Sequence, residues 1–501
     1  MDIQWPESSQ KGSKVSAAVI RPQPLKPEQA SGNPNEATGI SFQHHHNSAS
    51  IVPFRNSAAP SSSLIPVSGN EFQSEALQGA LPVGQNNPQV CPYNLYAEQL
   101  SGTSFTMPRR QNMRSWLYRI RPSVTSSPFV PSTQIDPERF GTHFEQDEVD
   151  CNQLRWRPMP IPEQTTNFVT GLQTICGAGS PERKEGYAIH MYSANTSMSD
   201  SSFSNADGDM LIVPENGSLR VTTEFGIMEV PPGEVCVVQC GIRFSVALPD
   251  SVARGYVLEV FGSHFTLPDL GPVGANGLAA ARDFQTPVAW YEDRQVDFVV
   301  MHKLGGRVFE SVQPFSPFNV AAWHGNYAPY KYDLAKFCPV NTVSFDHADP
   351  SIFTVLTCPS PWPGGVTADF VVFPPRWTVA EHSFRPPYFH RNVMSEFMGL
   401  IRGTYEAKQD GFLPGGASLH VCMTPHGPDT ATFESGTTKD SHKPERLPAD
   451  TLAFMFEVNY IPRVKKSALE SKYLDRSYQQ CWAGLKSHFP GSKESNGKLM
   501  H

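Results

Sequence analysis

Two textures of hydrophobic and polar positions divide the chain. Over residues 1–62 apolar side chains are scattered without period among Ser, Pro, Asn and Gln. Such a segment buries too little surface to offset its ordering entropy, and it reads as a disordered low-complexity extension. From about residue 63, short apolar or alternating runs recur between turn signals. Between Asp209 and Leu248 the runs are separated by Asn216-Gly217, Phe225-Gly226 and Pro231-Pro232-Gly233, which is hairpin chemistry. The same texture returns at Ser351 to Thr357 and Ala368 to Pro375. The pattern predicts a mainly β protein of jelly-roll or β-sandwich type, with two β domains at 63–338 and 339–501. Near the end, Ala468, Leu469, Tyr473, Leu474, Tyr478, Cys481, Trp482 and Leu485 recur at helical intervals. They predict a C-terminal amphipathic helix over about 465–487 that caps the fold.

Composition narrows the function classes. Among 501 residues there are 46 prolines, about 9% against about 5% in an average chain. That excess disfavours a helical protein. The 40 Lys and Arg against 48 Asp and Glu give a net charge of −8, which argues against a nucleic-acid partner. No run approaches the roughly 18 apolar residues of a spanning helix, so no membrane partner is expected. Neither terminus carries a targeting pattern, and the nine cysteines form no tight framework, so a cytoplasmic protein with reduced thiols is expected. Cys236 and Cys240 fall on one face of a strand, about 13 Å apart, and read as buried thiols. His44-His45-His46 lies in the polar extension and reads as low-complexity sequence rather than a metal site.

Most of the 16 histidines are isolated. Four that are not lie between Asp346 and Asp429: His347, His390, His420 and His426, with Glu396 among them. On a straight strand His390 and Glu396 share a face but stand about 20 Å apart, so the backbone must bend for them to share a metal. Two imidazoles and one carboxylate on one side of a metal leave positions open for an organic substrate and O2, the pattern of non-haem Fe(II) oxygenases. By spacing alone, core or surface histidines remain the competing reading. His190 and His264 lie in unlike surroundings, and the first β domain reads as a scaffold without metal.

Longer blocks are more specific. Leu81 to Thr106, Ser115 to Ile120, Gly274 to Leu278, Ser316 to Val320 and Trp323 to Tyr327 closely resemble the homogentisate 1,2-dioxygenase family, as do 346–350, 384–403 and 411–429. The match is collinear from about 67 to about 490. The resemblance implies a cupin-like fold and an Fe(II) enzyme that opens homogentisate with O2 to give 4-maleylacetoacetate, in tyrosine and phenylalanine catabolism. It also implies a homo-hexamer built as a dimer of trimers. Carried over by position, His390, Glu396 and His426 are the expected Fe(II) ligands and His347 the proton acceptor. Tyr405 and His426 are expected to contact the substrate, and His420 to act beside it. His324 is expected to be structural. Two departures stand out: residues 1–62 have no counterpart, and Val67 to Glu71 is two residues short of the family's block. The rival readings are a non-catalytic binding cupin and a dioxygenase for a related aromatic such as gentisate.

Overall fold

The computed structural model describes residues 64–66, 71–346, 349–362, 365–408 and 410–489. The readings made for 1–62, His44-His45-His46 and His347 lie outside them.

The hairpin pattern of 209–248 is realised as five strands, Gly208–Asn216, Leu219–Thr223, Gly226–Val230, Glu234–Val238 and Phe244–Ala247. Gly217 turns the first of these corners at φ +74°, where a Cβ would stand 1.9 Å from the Val252 carbonyl oxygen. Only glycine fits there. The strand holding Cys236 ends at Val238, so Cys240 lies beyond it, and all nine cysteines are free thiols.

Two of these strands, Gly208–Asn216 and Glu234–Val238, join Ala253–Phe261 and Glu185–Ala194 at the centre of a nine-stranded antiparallel sheet, and the other three belong to a seven-stranded sheet. Both faces of the nine-stranded sheet are covered. Met210, Ile212, Cys236 and Val257 point into one core with Val221, Met228, Phe244 and Met301 of the seven-stranded sheet. Leu211, Val213, Tyr256 and Leu258 point into another with Phe370, Phe397, Phe454 and Phe456. Alternation of side chains along a strand thus serves two cores, which is why these runs read as almost unbroken apolar sequence.

The second core is closed by a six-stranded sheet in the order Thr354–Pro359, Val366–Phe373, Leu452–Val458, Ser395–Arg402, Ala417–His420 and Leu154–Trp156. A single 3-10 turn, Pro350–Phe353, precedes its first strand where the apolar run suggested strand. Its last strand comes from the N-terminal half, and Arg463–Val464 returns to pair with Leu172–Ser180 of the central sheet. The two β layers are thus cross-stitched by exchanged strands.

The C-terminal helix is far shorter than its periodicity suggested. Helix covers only Lys466–Leu469, followed by a 3-10 turn at Tyr478–Trp482. Between them the backbone bonds to the edge strand instead. Asp475 N–H donates to the Arg155 carbonyl at 2.7 Å, and Arg157 N–H to that of Tyr473 at 2.8 Å. Ser471 Oγ and Asp475 Oδ1 accept from the amides of Tyr473 and Ser477, offering the backbone an alternative to helix. Ala468 and Tyr478 still face inward. Edge pairing overrides local propensity here.

Candidate metal centre

The site lies at one end of the six-stranded sheet. Glu396 is the second residue of Ser395–Arg402 and pairs across the ladder with His420 of Ala417–His420. His390 and His426 lie beyond the ends of those strands. They pair only with each other, as an isolated antiparallel bridge. The bend between His390 and Glu396 is made by Asn392: its side-chain oxygen accepts from Met394 N–H at 3.1 Å, and its carbonyl accepts from Met423 N–H at 2.7 Å. This folds the straight-strand separation away.

The result is a triangle. Nε2 of His390 is 3.3 Å from Glu396 Oε1, and Nε2 of His426 is 3.0 Å from Oε2. One ligand atom from each residue can be chosen so that all lie within 4.8 Å of one another. Each imidazole is fixed at its far side. Nδ1–H of His390 donates to the Tyr388 carbonyl at 2.7 Å, and Nδ1–H of His426 to that of Thr424 at 2.9 Å. Backbone carbonyls two residues upstream therefore aim both Nε2 atoms at the carboxylate, the outer-shell arrangement of a metal-ligating histidine.

Electrostatics agree with that donor set. Burial pushes the Glu396 carboxyl up, but hydrogen bonds from His390 and His426 outweigh it and hold the group far below the usual carboxylate range. Burial lowers His390, but Glu396 and the Tyr388 carbonyl raise it on balance. The pocket keeps a carboxylate ionised and stabilises positive charge beside it, which a divalent cation would supply in place of a ring proton.

Two spaces adjoin the triangle. An outer cleft of about 500 Å³ is lined by Asp349, Phe353, Phe373 and Arg391 among others. An inner pocket of about 40 Å³ reaches Phe412, Lys408, His420 and Tyr478. His390, Glu396 and Tyr405 border both. Tyr405 is buried, with its ring 5.9 Å from Phe373 and 6.0 Å from Phe412. The His420 ring stacks on His426 at 4.0 Å with 16° between planes. Its Nε2 lies 2.9 Å from Tyr478 Oη, and its Nδ1 is buried with no hydrogen-bond partner among the described residues. Burial, with His426 close by, drives its pKa well below the ordinary value, so this ring is neutral.

Five of the six residues singled out in the sequence thus meet here: His390, Glu396, His426, Tyr405 and His420. The sixth, His347, is not among the described residues, although Asp349 two positions on lines the outer cleft. His324 is elsewhere, 3.2 Å from Tyr118 Oη in a separate four-stranded sheet. His190 and His264 do not approach each other in any shared cluster. The first contacts Glu259 at 3.0 Å and the second Asp209 at 3.0 Å. Asn392 and Tyr478 were missed. Tyr478 reads in sequence as one more apolar position of a helix face, and nothing in the spacing marks it as the partner of a histidine 58 residues earlier.

The model of the homogentisate 1,2-dioxygenase N-terminal region matches residues 65–334, and that of its C-terminal region matches 335–489. The homogentisate 1,2-dioxygenase of Arabidopsis thaliana is 60% identical over 425 residues, which is 84% of this chain and 92% of the plant protein. That of Homo sapiens is 57% identical over 434 residues, 85% of this chain and 96% of the human protein. Among solved structures, a mutant of Bacillus subtilis oxalate decarboxylase aligns with 64% of this chain and 81% of that chain, at 12% identity and a TM-score of 0.27. Matched by both halves of one family's model, and by relatives across nearly their full lengths, the chain belongs to the homogentisate 1,2-dioxygenase family.

Proposed function

We propose that the protein opens the aromatic ring of homogentisate with O2 to give 4-maleylacetoacetate, both oxygen atoms ending in the product, as a step of tyrosine and phenylalanine catabolism. The observation that carries the reading is the triangle of His390, Glu396 and His426, with both Nδ1 atoms tied to backbone carbonyls. These three residues would hold Fe(II). Bound there, Fe(II) would supply the redox chemistry and the open coordination positions that a substrate and O2 need.

The remaining roles follow from residue chemistry. Homogentisate is a hydroquinone bearing an acetate arm, and the outer cleft beside Tyr405 and His390 is the space that suits it. Tyr405 would hydrogen-bond the acetate or a ring oxygen, and His426 would contact the substrate from the metal side. The phenylalanines of the cleft wall exclude water from the ring. His347 is the proton acceptor for the phenol, since an imidazole titrates in the range that transfer requires. His420, held neutral by burial, offers a ring nitrogen on the inner side of the triangle. The C-terminal β domain carries the site and the N-terminal domain serves as its scaffold in a cytoplasmic hexamer, a dimer of trimers.

Oxygen uptake tests the substrate assignment. With Fe(II)-loaded protein, homogentisate should consume one O2 per molecule, and gentisate should consume none at matched concentration. Uptake with gentisate and not with homogentisate would overturn the reading.

A further inference from the structure

A second constellation of metal-ligand chemistry stands on the surface of the C-terminal half, separate from the triangle. Glu381, His382 and His442 meet there, brought together from two loops. Glu381 Oε1 lies 3.8 Å from Nε2 of His382 and 3.6 Å from Nδ1 of His442. The two rings are perpendicular, 88° apart, with centroids at 4.4 Å. One donor atom from each residue lies within 4.8 Å of the other two.

The two loops are held in register before any ligand arrives. Trp377–Thr378 and Glu445–Arg446 form a two-stranded ribbon below the loops. Arg385 clamps them above it. Its guanidinium donates to the carbonyls of Val379 and Ala380 on one loop, and to those of Ser441 and Lys443 on the other. His442 is set further by its own N–H, which donates to Asp440 Oδ1 at 3.1 Å. The nearby cations do not occupy the carboxylate. Lys443 pairs with Asp440 at 3.1 Å and Lys439 with Glu445 at 2.6 Å.

We propose that Glu381, His382 and His442 form a second divalent-metal site, distinct from the Fe(II) centre and suited to Zn²⁺. Two imidazoles and one carboxylate are a donor set that Zn²⁺ takes, with water completing four-coordination at an exposed position. The ion replaces three separate solvated groups by one crosslink between the 379–385 and 440–443 loops.

The crosslink reaches further. Glu381 N–H donates to the Val343 carbonyl at 3.2 Å, and Asp346 N–H donates to Ser383 Oγ. The Phe345 ring lies against His382, with centroids 6.5 Å apart and planes 24° apart. An ion on His382 therefore restrains the segment 343–346. The proposal rests on these contacts and not on the reaction assigned to the protein.

The test uses the full chain, stripped by a chelator and titrated with Zn²⁺ by calorimetry. Wild type should bind about one equivalent more than the double variant His382→Ala/His442→Ala, the stoichiometry of a single three-ligand site. Glu396→Gln should retain that equivalent. Near-ultraviolet circular dichroism checks that the variants are folded, and Glu381→Gln provides a milder second variant with weakened binding. Zn²⁺ should slow amide exchange of Val343 to Asp346 in wild type and leave it unchanged in the double variant. If the double variant binds as much Zn²⁺ as wild type, the extra ion sits elsewhere, with His44-His45-His46 the first place to look, and the proposal falls.

Discussion

His390 and His426 exchange both of their main-chain hydrogen bonds, at 2.9 Å and 3.1 Å, and this two-residue bridge sets their rings 4.2 Å apart. No regular strand holds either residue. The bridge therefore depends on what lies directly beside it. Gly427 is the closest such neighbour, since a Cβ there would stand 2.8 Å from Phe389 Cα and 2.5 Å from its ring. Backbone cannot retreat as a flexible side chain can. Gly427→Ala should destabilise the protein by about 1–3 kcal/mol. It should also loosen the bridge, so that less metal survives dialysis. Thermal unfolding and metal content by atomic emission check both, and a variant that keeps wild-type metal would count against the bridge as the device that positions the ligands.

Glu396 is the only anion of the triangle, and it faces both imidazoles. Glu396→Gln keeps the shape and removes the charge. Metal affinity should fall by about tenfold or more, at the low end of what mutating even an outer-shell partner costs. Equilibrium dialysis against Fe(II) under argon measures it. Retention equal to wild type would remove Glu396 from the ligand set.

Among the described residues, Tyr478 Oη is the one hydrogen-bond partner of the His420 ring. In Tyr478→Phe the imidazole is left buried with neither nitrogen satisfied, which should cost about 1–3 kcal/mol of stability. If His420 acts beside the substrate, kcat should fall with little change in KM, and the pH profile of kcat should shift. A change in stability alone would leave Tyr478 a structural residue.

A titrating pair lies away from the metal centre, between His264 and Asp209. Burial lowers the pKa of His264, but Asp209 and the Gly102 carbonyl raise it further, to about 9. Geometry agrees, since both ring nitrogens face acceptors, at 3.0 Å and 2.7 Å. A raised histidine pKa adds stability that is complete below the unfolded value near 6.5 and is lost as pH climbs through about 9. The melting temperature should therefore decline between those limits. His264→Gln should flatten that decline and lower the plateau near pH 6. An unchanged slope would contradict the charged pair.

How much of this was legible in the sequence depends on the range of the interaction. Asn216-Gly217 and Pro231-Pro232-Gly233 announced their turns because turn chemistry is local. The meeting of His390, Glu396 and His426 was foreshadowed by long family blocks, while spacing alone left His390 and Glu396 too far apart. The bend made by Asn392 was hidden because it also rests on a bond to its carbonyl from Met423, distant in sequence. The segment 465–487 misled because apolar spacing records which residues face inward and not which backbone partner they find. There the partner was Leu154–Trp156, more than 300 residues away in sequence, and no periodicity reports an edge strand at that distance. The Glu381, His382 and His442 cluster was invisible for the same reason, as its two loops are brought together by Arg385 and a short ribbon.

The most direct test of the catalytic account is a single-turnover experiment. Protein is loaded with Fe(II) under anaerobic conditions, mixed with homogentisate, and then exposed to O2. Near-ultraviolet absorbance of maleylacetoacetate should rise with wild type and stay flat with His390→Ala, whose metal content should fall in parallel. Product formation by His390→Ala at the wild-type rate, or no product from iron-loaded wild type, would contradict the account.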